Sequence, residues 1–248
     1  MLKEAVSVQN LYVSYYGKEV IRDVSFSFEA GNLIGIVGPN GAGKSTMMKA
    51  VLGLIPKDSG TVEIGGKSID QIRKKIAYVP QRSNIDWDFP IIVRDTVLLG
   101  TYPNLGIFRR PGKKEREWAS QCLEEVGMQD FSERQIAELS GGQQQRVFLA
   151  RALAQNAEYF FLDEPFVGID VASEEVIIKI LKQLRNQGKT IFVVHHDLSK
   201  VETYFDDLIL INKELYGAGP VNKVFLPENM EKCFKMRLGL SASSGVGV

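Results

Sequence analysis

One short run constrains this chain more than any other. Gly38-Pro39-Asn40-Gly41-Ala42-Gly43-Lys44-Ser45 fits the pattern G-x-x-x-x-G-K-[ST], with Thr46 following it. The run is preceded by an apolar β-rich segment, Leu33 to Val37, and it opens a helical pattern, Lys44 to Leu54. Strand, loop and helix in that order are the context in which the pattern has a mechanism. Its glycines let backbone N–H groups close around phosphate oxygens, and the N-terminus of the following helix adds its partial positive charge. Lys44 is expected to reach the β and γ phosphates of bound ATP, and the Ser45 hydroxyl to ligate Mg²⁺.

The remainder of the chain supplies a fold to carry such a loop. Short apolar runs recur at Ile76 to Val79, Tyr159 to Leu162, Thr190 to Val194 and Leu208 to Ile211, most of them flanked by Gly, Pro, Asp or Asn. Runs that are apolar throughout are expected of strands covered on both faces, hence of a mainly parallel sheet. Helical patterns lie between several of them, Ser173 to Asn186 for example, which is the alternation of an α/β layered fold. The alternation Val6, Val8, Leu11, Val13 and then Val24, Phe26, Phe28 predicts instead half-exposed antiparallel strands at the N-terminus. From about Val93 to Ala154 the pattern is helical, so a helical subdomain, about residues 84–155, is expected to be inserted into the α/β core. A single domain over residues 1–240 accounts for all of this, and the Ser-, Gly- and Val-rich tail 241–248 is expected to be disordered.

Composition narrows the functional classes. Lys plus Arg equals Asp plus Glu at 30 each, so no bulk positive charge draws the chain onto nucleic acid or anionic lipid. No apolar run approaches the roughly 18 residues needed to cross a bilayer, so any membrane role must come through a partner. Met1 to Gln9 carries charge and no apolar run of signal-peptide length, which places the expectation in the cytoplasm. Cys122 and Cys233 are far apart and form no CxxC, so both read as reduced thiols. His195 and His196 are the only histidines and lack a third ligand at usable spacing, which makes a dedicated transition-metal site a poor expectation.

Two further motifs extend the chemistry. Tyr159-Phe160-Phe161-Leu162-Asp163-Glu164 ends a wholly apolar strand in adjacent carboxylates. Asp163 is expected to hold Mg²⁺, and Glu164 to polarise an attacking water beside the γ-phosphate, which favours hydrolysis over transfer to a substrate. Leu139-Ser140-Gly141-Gly142-Gln143 opens another helix, with Ser140 and Gln143 forming an S-x-x-Q capping box. The adjacent glycines are expected to leave the backbone there uncovered, as suits close approach to a second anion.

With these motifs in place, the chain resembles the ATP-binding subunit of an ABC transporter over about Val6 to Asn212. The family order is kept: Walker A at Gly38 to Thr46, Gln81 in Val79-Pro80-Gln81, the LSGGQ signature, Walker B ending in Asp163-Glu164, and then a histidine. The resemblance implies a P-loop NTPase core with a mainly parallel sheet, an N-terminal antiparallel β subdomain and an inserted helical subdomain. It implies that Gln81 couples the magnesium site, shared with Ser45 and Asp163, to a polytopic membrane permease. It also implies a homodimer in which Ser140, Gly141, Gly142 and Gln143 face ATP held by the opposite protomer, with Gly168-Ile169-Asp170 forming the loop that crosses the interface. The family's switch histidine immediately precedes an aspartate, which selects His196 before Asp197 and leaves His195 where threonine is often found. Tyr16 matches the aromatic that stacks on adenine, with Tyr15 as the neighbouring alternative.

Within that family the chain is similar to importers of manganese, zinc or iron. The similarity rests on Asn84-Ile85-Asp86-Trp87-Asp88-Phe89-Pro90, Arg134-Gln135-Ile136, Phe166-Val167-Gly168, the histidine pair and Val224 to Asn229. Manganese is the first expectation, with specificity residing in the permease and a metal-binding solute-binding protein, at the cytoplasmic face of the membrane. Trp87 and Phe89 are expected to line an exposed docking groove rather than to pack locally. The alternative is a soluble ABC ATPase in cofactor assembly or DNA maintenance. The DNA reading is weakened by zero net charge and by the lack of a long coiled-coil insertion. A P-loop phosphotransferase is opposed by the signature and by Glu164.

Overall fold

The computed structural model describes residues 4–105 and 109–234, so the expectation for the tail 241–248 lies outside the described residues. Strands β1 (Glu4–Tyr15), β2 (Lys18–Glu29) and β4 (Ser59–Ile64) form a small antiparallel sheet in the order β2-β1-β4. The β1–β2 turn places Tyr16 and Gly17 at φ 50° and 74°, the left-handed pair of a tight hairpin turn. The larger sheet runs β5-β6-β7-β3-β8-β9, made from β3 (Leu33–Val37), β5 (Ile76–Val79), β6 (Tyr159–Leu162), β7 (Thr190–Val194), β8 (Asp207–Asn212) and β9 (Glu214–Pro220). Every pairing in it is parallel except β8 with β9.

Period-two alternation decides which layer each core residue enters. In β6, Phe160 and Leu162 face one hydrophobic cluster while Tyr159 and Phe161 face the other. In β7, Ile191 and Val193 are divided from Phe192 and Val194 in the same way. Both faces are covered, which is why these strands read as continuous apolar runs. Across one face Phe161 stacks on Phe192, with ring centroids 4.9 Å apart and planes within 5°. Each such ring, fully buried, contributes on the order of 1.5–3 kcal/mol relative to exposure.

The helices, in chain order, are α1 (Lys44–Val51), α2 (Ile69–Ile72), α3 (Val93–Leu98), α4 (Lys113–Glu125), α5 (Gly141–Ala154), α6 (Val171–Asn186), α7 (Val201–Tyr204), α8 (Val221–Val224) and α9 (Pro227–Phe234). Helix α1 lies in the cluster shared with the small sheet, through Met47, Met48 and Val51. Helices α3 to α6 lie in the other cluster, through residues such as Val97, Leu123, Phe148 and Leu181. Among the described residues, no helix is long and apolar enough to cross a membrane.

Parallel order gathers the chemistry. Strands β5, β6, β7 and β3 lie side by side and point the same way, so the loops after them open at one edge of the sheet. Ladder-like bonds continue past the strand ends: Asp163 N–H donates to Val79 O at 2.9 Å, and His195 N–H to Ile36 O at 3.0 Å. The glycine-rich loop is braced from the β8–β9 turn, where Lys213 N–H donates to Ala42 O at 2.8 Å and Arg22 N–H to Lys213 O at 2.8 Å.

Candidate nucleotide site

The loop after β3 has the backbone freedom its sequence promised. Gly41 and Gly43 stand at φ 76° and 90°, and Gly43 is the N-cap of α1. Gly38 is required for a different reason, since a Cβ there would stand 1.9 Å from Ile211 O. Lys44 is buried, and its Nζ donates to Gly38 O at 2.8 Å and Pro39 O at 3.0 Å. Burial lowers its pKa from the usual lysine value, opposed by Glu164, Cys233 and Asp163. The ammonium is thus folded over the loop, bonded to carbonyls that phosphate oxygens can replace as partners. Cys122 and Cys233 are both free and buried, and desolvation pushes their thiols up to about 12 and about 11.

Five side chains converge beside that loop. Ser45 Oγ donates to Asp163 Oδ1 at 2.6 Å, while Tyr78 OH donates to Asp163 Oδ2 at 3.5 Å. Asp163 is only 1% exposed, so its carboxylate needs such partners. Glu164 occupies the left-handed region at φ 52°, and its Oε2 accepts from Gln81 Nε2 at 2.7 Å. A non-glycine residue held there stores on the order of 1 kcal/mol or more, a strain found mostly at functional sites. Hydroxyl, carboxylate and amide oxygens make a donor set suited to a hard divalent cation.

The signature residues are placed by helix capping. Ser140 caps α5, with Gln143 N–H donating to Ser140 Oγ at 3.3 Å and Ser140 N–H donating to Gln143 Oε1 at 2.9 Å. Asp170 caps α6, accepting from Ser173 N–H at 2.9 Å and Ser173 Oγ at 2.8 Å. The Ser173 bonds hold the Asp170 carboxyl below its usual range. The expectation that both signature glycines are uncovered needs correction. Gly142 is buried, because the N-terminus of α6 approaches it so closely that a Cβ would stand 2.2 Å from Ser173 Oγ. Gly141 is half-buried, facing Gly168 O.

The two histidines differ sharply. His196 is exposed, whereas His195 is 1% exposed among Phe166, Tyr204 and Phe205, with ring centroids 5.4, 6.0 and 5.5 Å away. Neither ring nitrogen of His195 has a hydrogen-bond partner among the described residues. Desolvation, then His196, push its pKa down to about 4, against the opposing pull of Asp197 and Glu174. A depressed histidine pKa means that the unfolded chain binds the proton more readily, so stability is full above pH ~6.5 and lost as pH falls toward 4. About 3 kcal/mol should disappear over that window. His195→Phe should flatten the dependence, read as urea midpoints at pH 7 and pH 4.5; an equal slope in both proteins would assign the acid lability elsewhere.

The remaining candidates divide. Tyr16 stands fully exposed at the hairpin turn and Tyr15 is 42% exposed, so both rings are open to a planar ligand. The shared groove expected for Trp87 and Phe89 is not what the structure has. The Trp87 ring packs edge-on against Phe148 at 5.2 Å and its indole N–H donates to Arg82 O at 2.9 Å, while Phe89 remains 58% exposed. An indole has a polar handle that a local carbonyl satisfies; phenylalanine has none. Sequence reasoning passed over Tyr78 and Arg82, which flank Val79-Pro80-Gln81 and touch Asp163 and α5 respectively.

Comparison with known proteins agrees with this geometry. A family model described as ABC transporter matches residues 21–167. A manganese transport system ATP-binding protein of Listeria innocua is 58% identical over 91% of this chain and 94% of its own length. A zinc transport system ATP-binding protein of Treponema pallidum is 50% identical over 94% of this chain and 88% of its own. Among solved structures, an ABC transporter in an inward-facing conformation superposes with TM-score 0.83 at 27% identity, covering 94% of this chain and 90% of that one. An ATP-binding cassette in its ADP conformation gives 0.78 at 25% identity, over 92% and 97%. Loop, signature and paired carboxylates therefore have one common explanation: the chain belongs to the ABC transporter family.

Proposed function

We propose that this chain is the ATP-binding and ATP-hydrolysing subunit of a divalent-metal importer, with manganese as the transported ion. The observation that carries the catalytic part is the convergence of Lys44, Ser45, Asp163, Glu164 and Gln81 at one sheet edge. Ser45 and Asp163, with Gln81 nearby, would hold Mg²⁺ alongside ATP, and that ion would supply charge neutralisation on the phosphate oxygens. Glu164 takes the role of base toward water, and its contact with Gln81 keeps the carboxylate aimed rather than free to rotate. Lys44 exchanges its carbonyl partners for phosphate oxygens. His196, exposed beyond β7, is the group assigned to the γ-phosphate side.

Manganese is favoured because relatives named for manganese transport span 50% to 58% identity, while a relative named for zinc stands at 50%. Function further requires a homodimer, in which each cradle meets the partner's signature, and a polytopic permease that brings the chain to the cytoplasmic face of the membrane. Selection of the metal belongs to the permease and a solute-binding protein. Equilibrium dialysis of the isolated chain should accordingly find no submicromolar Mn²⁺ or Zn²⁺ site without nucleotide. A stoichiometric site under those conditions would move selectivity into this subunit. The functional reading itself is tested by titration calorimetry of MgATP into the full chain and by phosphate release.

A further inference from the structure

Gln81 is followed by a residue with more contacts than its place in a loop requires. Arg82 turns its guanidinium onto the signature helix, where Nε and Nη2 both donate to Gln144 Oε1, at 3.1 and 2.9 Å. Gln144 is itself buried and committed, its Nε2 donating to Ile136 O at 3.0 Å. The same guanidinium lies 5.6 Å from the centre of the Trp87 ring. It also reaches the glycines on both sides of the signature contact: a Cβ on Gly141 would stand 3.3 Å from Arg82 Cζ, and one on Gly168 would stand 3.7 Å from Nη1. One side chain therefore bonds to α5 and lies near the loop leading to Asp170 and its own tryptophan, while the adjacent residue holds Glu164.

We propose that Arg82 is a positioning residue that makes the loop carrying Gln81 move with the N-terminus of α5. The argument is one of connectivity. Gln81 leaves the core sheet at the end of β5, whereas α5 packs in the helical layer, and the Arg82–Gln144 fork joins the two. Two guanidinium donors share one oxygen of a side chain that is itself tied to Ile136 O, so separating the loop from α5 would break both bonds together. Any shift of the signature helix toward or away from nucleotide then pulls on Arg82 and changes how Gln81 meets Glu164. This inference rests on the ATP-hydrolysing reading above.

Trp87 provides a reporter, because it packs on Arg82 and the only other tryptophan, Trp118, can be replaced. In full-length chain carrying Trp118→Phe, MgATP should change Trp87 emission. Arg82→Lys and Gln144→Met should each at least halve that change and lower kcat about ten-fold, with the calorimetric Kd for MgATP within about two-fold of the parent; the double variant should be no worse than the poorer single. Parent-like emission and kcat in both single variants, additive losses in the double, or losses that merely follow melting temperature would each overturn the proposal. MgATP binding without any Trp87 response in the parent overturns it alone; absence of MgATP binding overturns the functional reading together with it.

Discussion

Lys44→Ala is expected to weaken MgATP binding by two orders of magnitude or more and to abolish hydrolysis. Among the described residues the ammonium is the one buried cation at the glycine-rich loop, and its partners are two loop carbonyls, Gly38 O and Pro39 O. Moving it onto phosphate oxygens exchanges neutral acceptors for charged ones, and hydrogen bonds between charged groups are worth about 1.5–3 kcal/mol each. Two such bonds correspond to roughly a hundred-fold to twenty-thousand-fold in affinity. Backbone N–H groups of the loop remain in the variant, so weak residual binding is expected. The burial that lowers the Lys44 pKa is a cost the folded chain already bears, and removing the side chain should leave the melting temperature nearly unchanged. Titration calorimetry checks the affinity; a Kd equal to the parent's would dissociate Lys44 from the phosphates.

Glu164→Gln should leave MgATP bound and nearly stop its hydrolysis. Gln81 Nε2 donates to Glu164 Oε2, and the amide oxygen of the substituted side chain can accept the same bond, so the left-handed backbone and the contact survive. What disappears is the carboxylate charge proposed to polarise water, a contribution of about 10²–10⁴-fold for such a base. If the signature of one protomer closes on ATP held by its partner, uncleaved nucleotide stabilises that closed form by mass action. The variant should then accumulate as an ATP-dependent dimer, seen as a doubled mass in light scattering after size exclusion. A monomer at tens of micromolar, with ATP bound, would count against ATP alone bridging the two protomers.

Much of this was legible in the residues. The strands read from apolar runs, Leu33 to Val37, Ile76 to Val79, Tyr159 to Leu162 and Thr190 to Val194, coincide with β3, β5, β6 and β7, because strands buried on both faces must be apolar throughout. Helix ends were less legible. The pattern from Lys44 to Leu54 continues past the end of α1 at Val51, where Leu52 caps it and Gly53 turns to φ 63°. Helix α6 begins at Val171, ahead of its apolar periodicity, because Asp170 caps it. Strands β4 and β9 were missed: Ser-Gly-Thr-Val-Glu-Ile and Glu-Leu-Tyr-Gly-Ala-Gly-Pro are rich in residues that ordinarily mark loops.

The site divides along the same line. Lys44, Ser45, Asp163, Glu164 and Gln81 stand out because their chemistry needs particular residue types at particular spacings. The burial of Gly142 against Ser173 and the grip of Arg82 on Gln144 arise only when distant segments meet, and no local pattern announces them. His195 gave a mixed signal: its place in the histidine pair was visible, whereas its aromatic enclosure depends on Phe166, Tyr204 and Phe205 arriving from other elements.

The most direct test of ATP cleavage at this site is the fate of the nucleotide itself. Parent chain and Glu164→Gln, loaded with MgATP to equal occupancy, are separated from free nucleotide after a fixed interval, and the bound and released ATP and ADP are quantified. The parent should have converted its ATP to ADP, while the variant should still hold ATP. Equal ADP from both proteins would contradict the account, because no other residue has been assigned to activate the water.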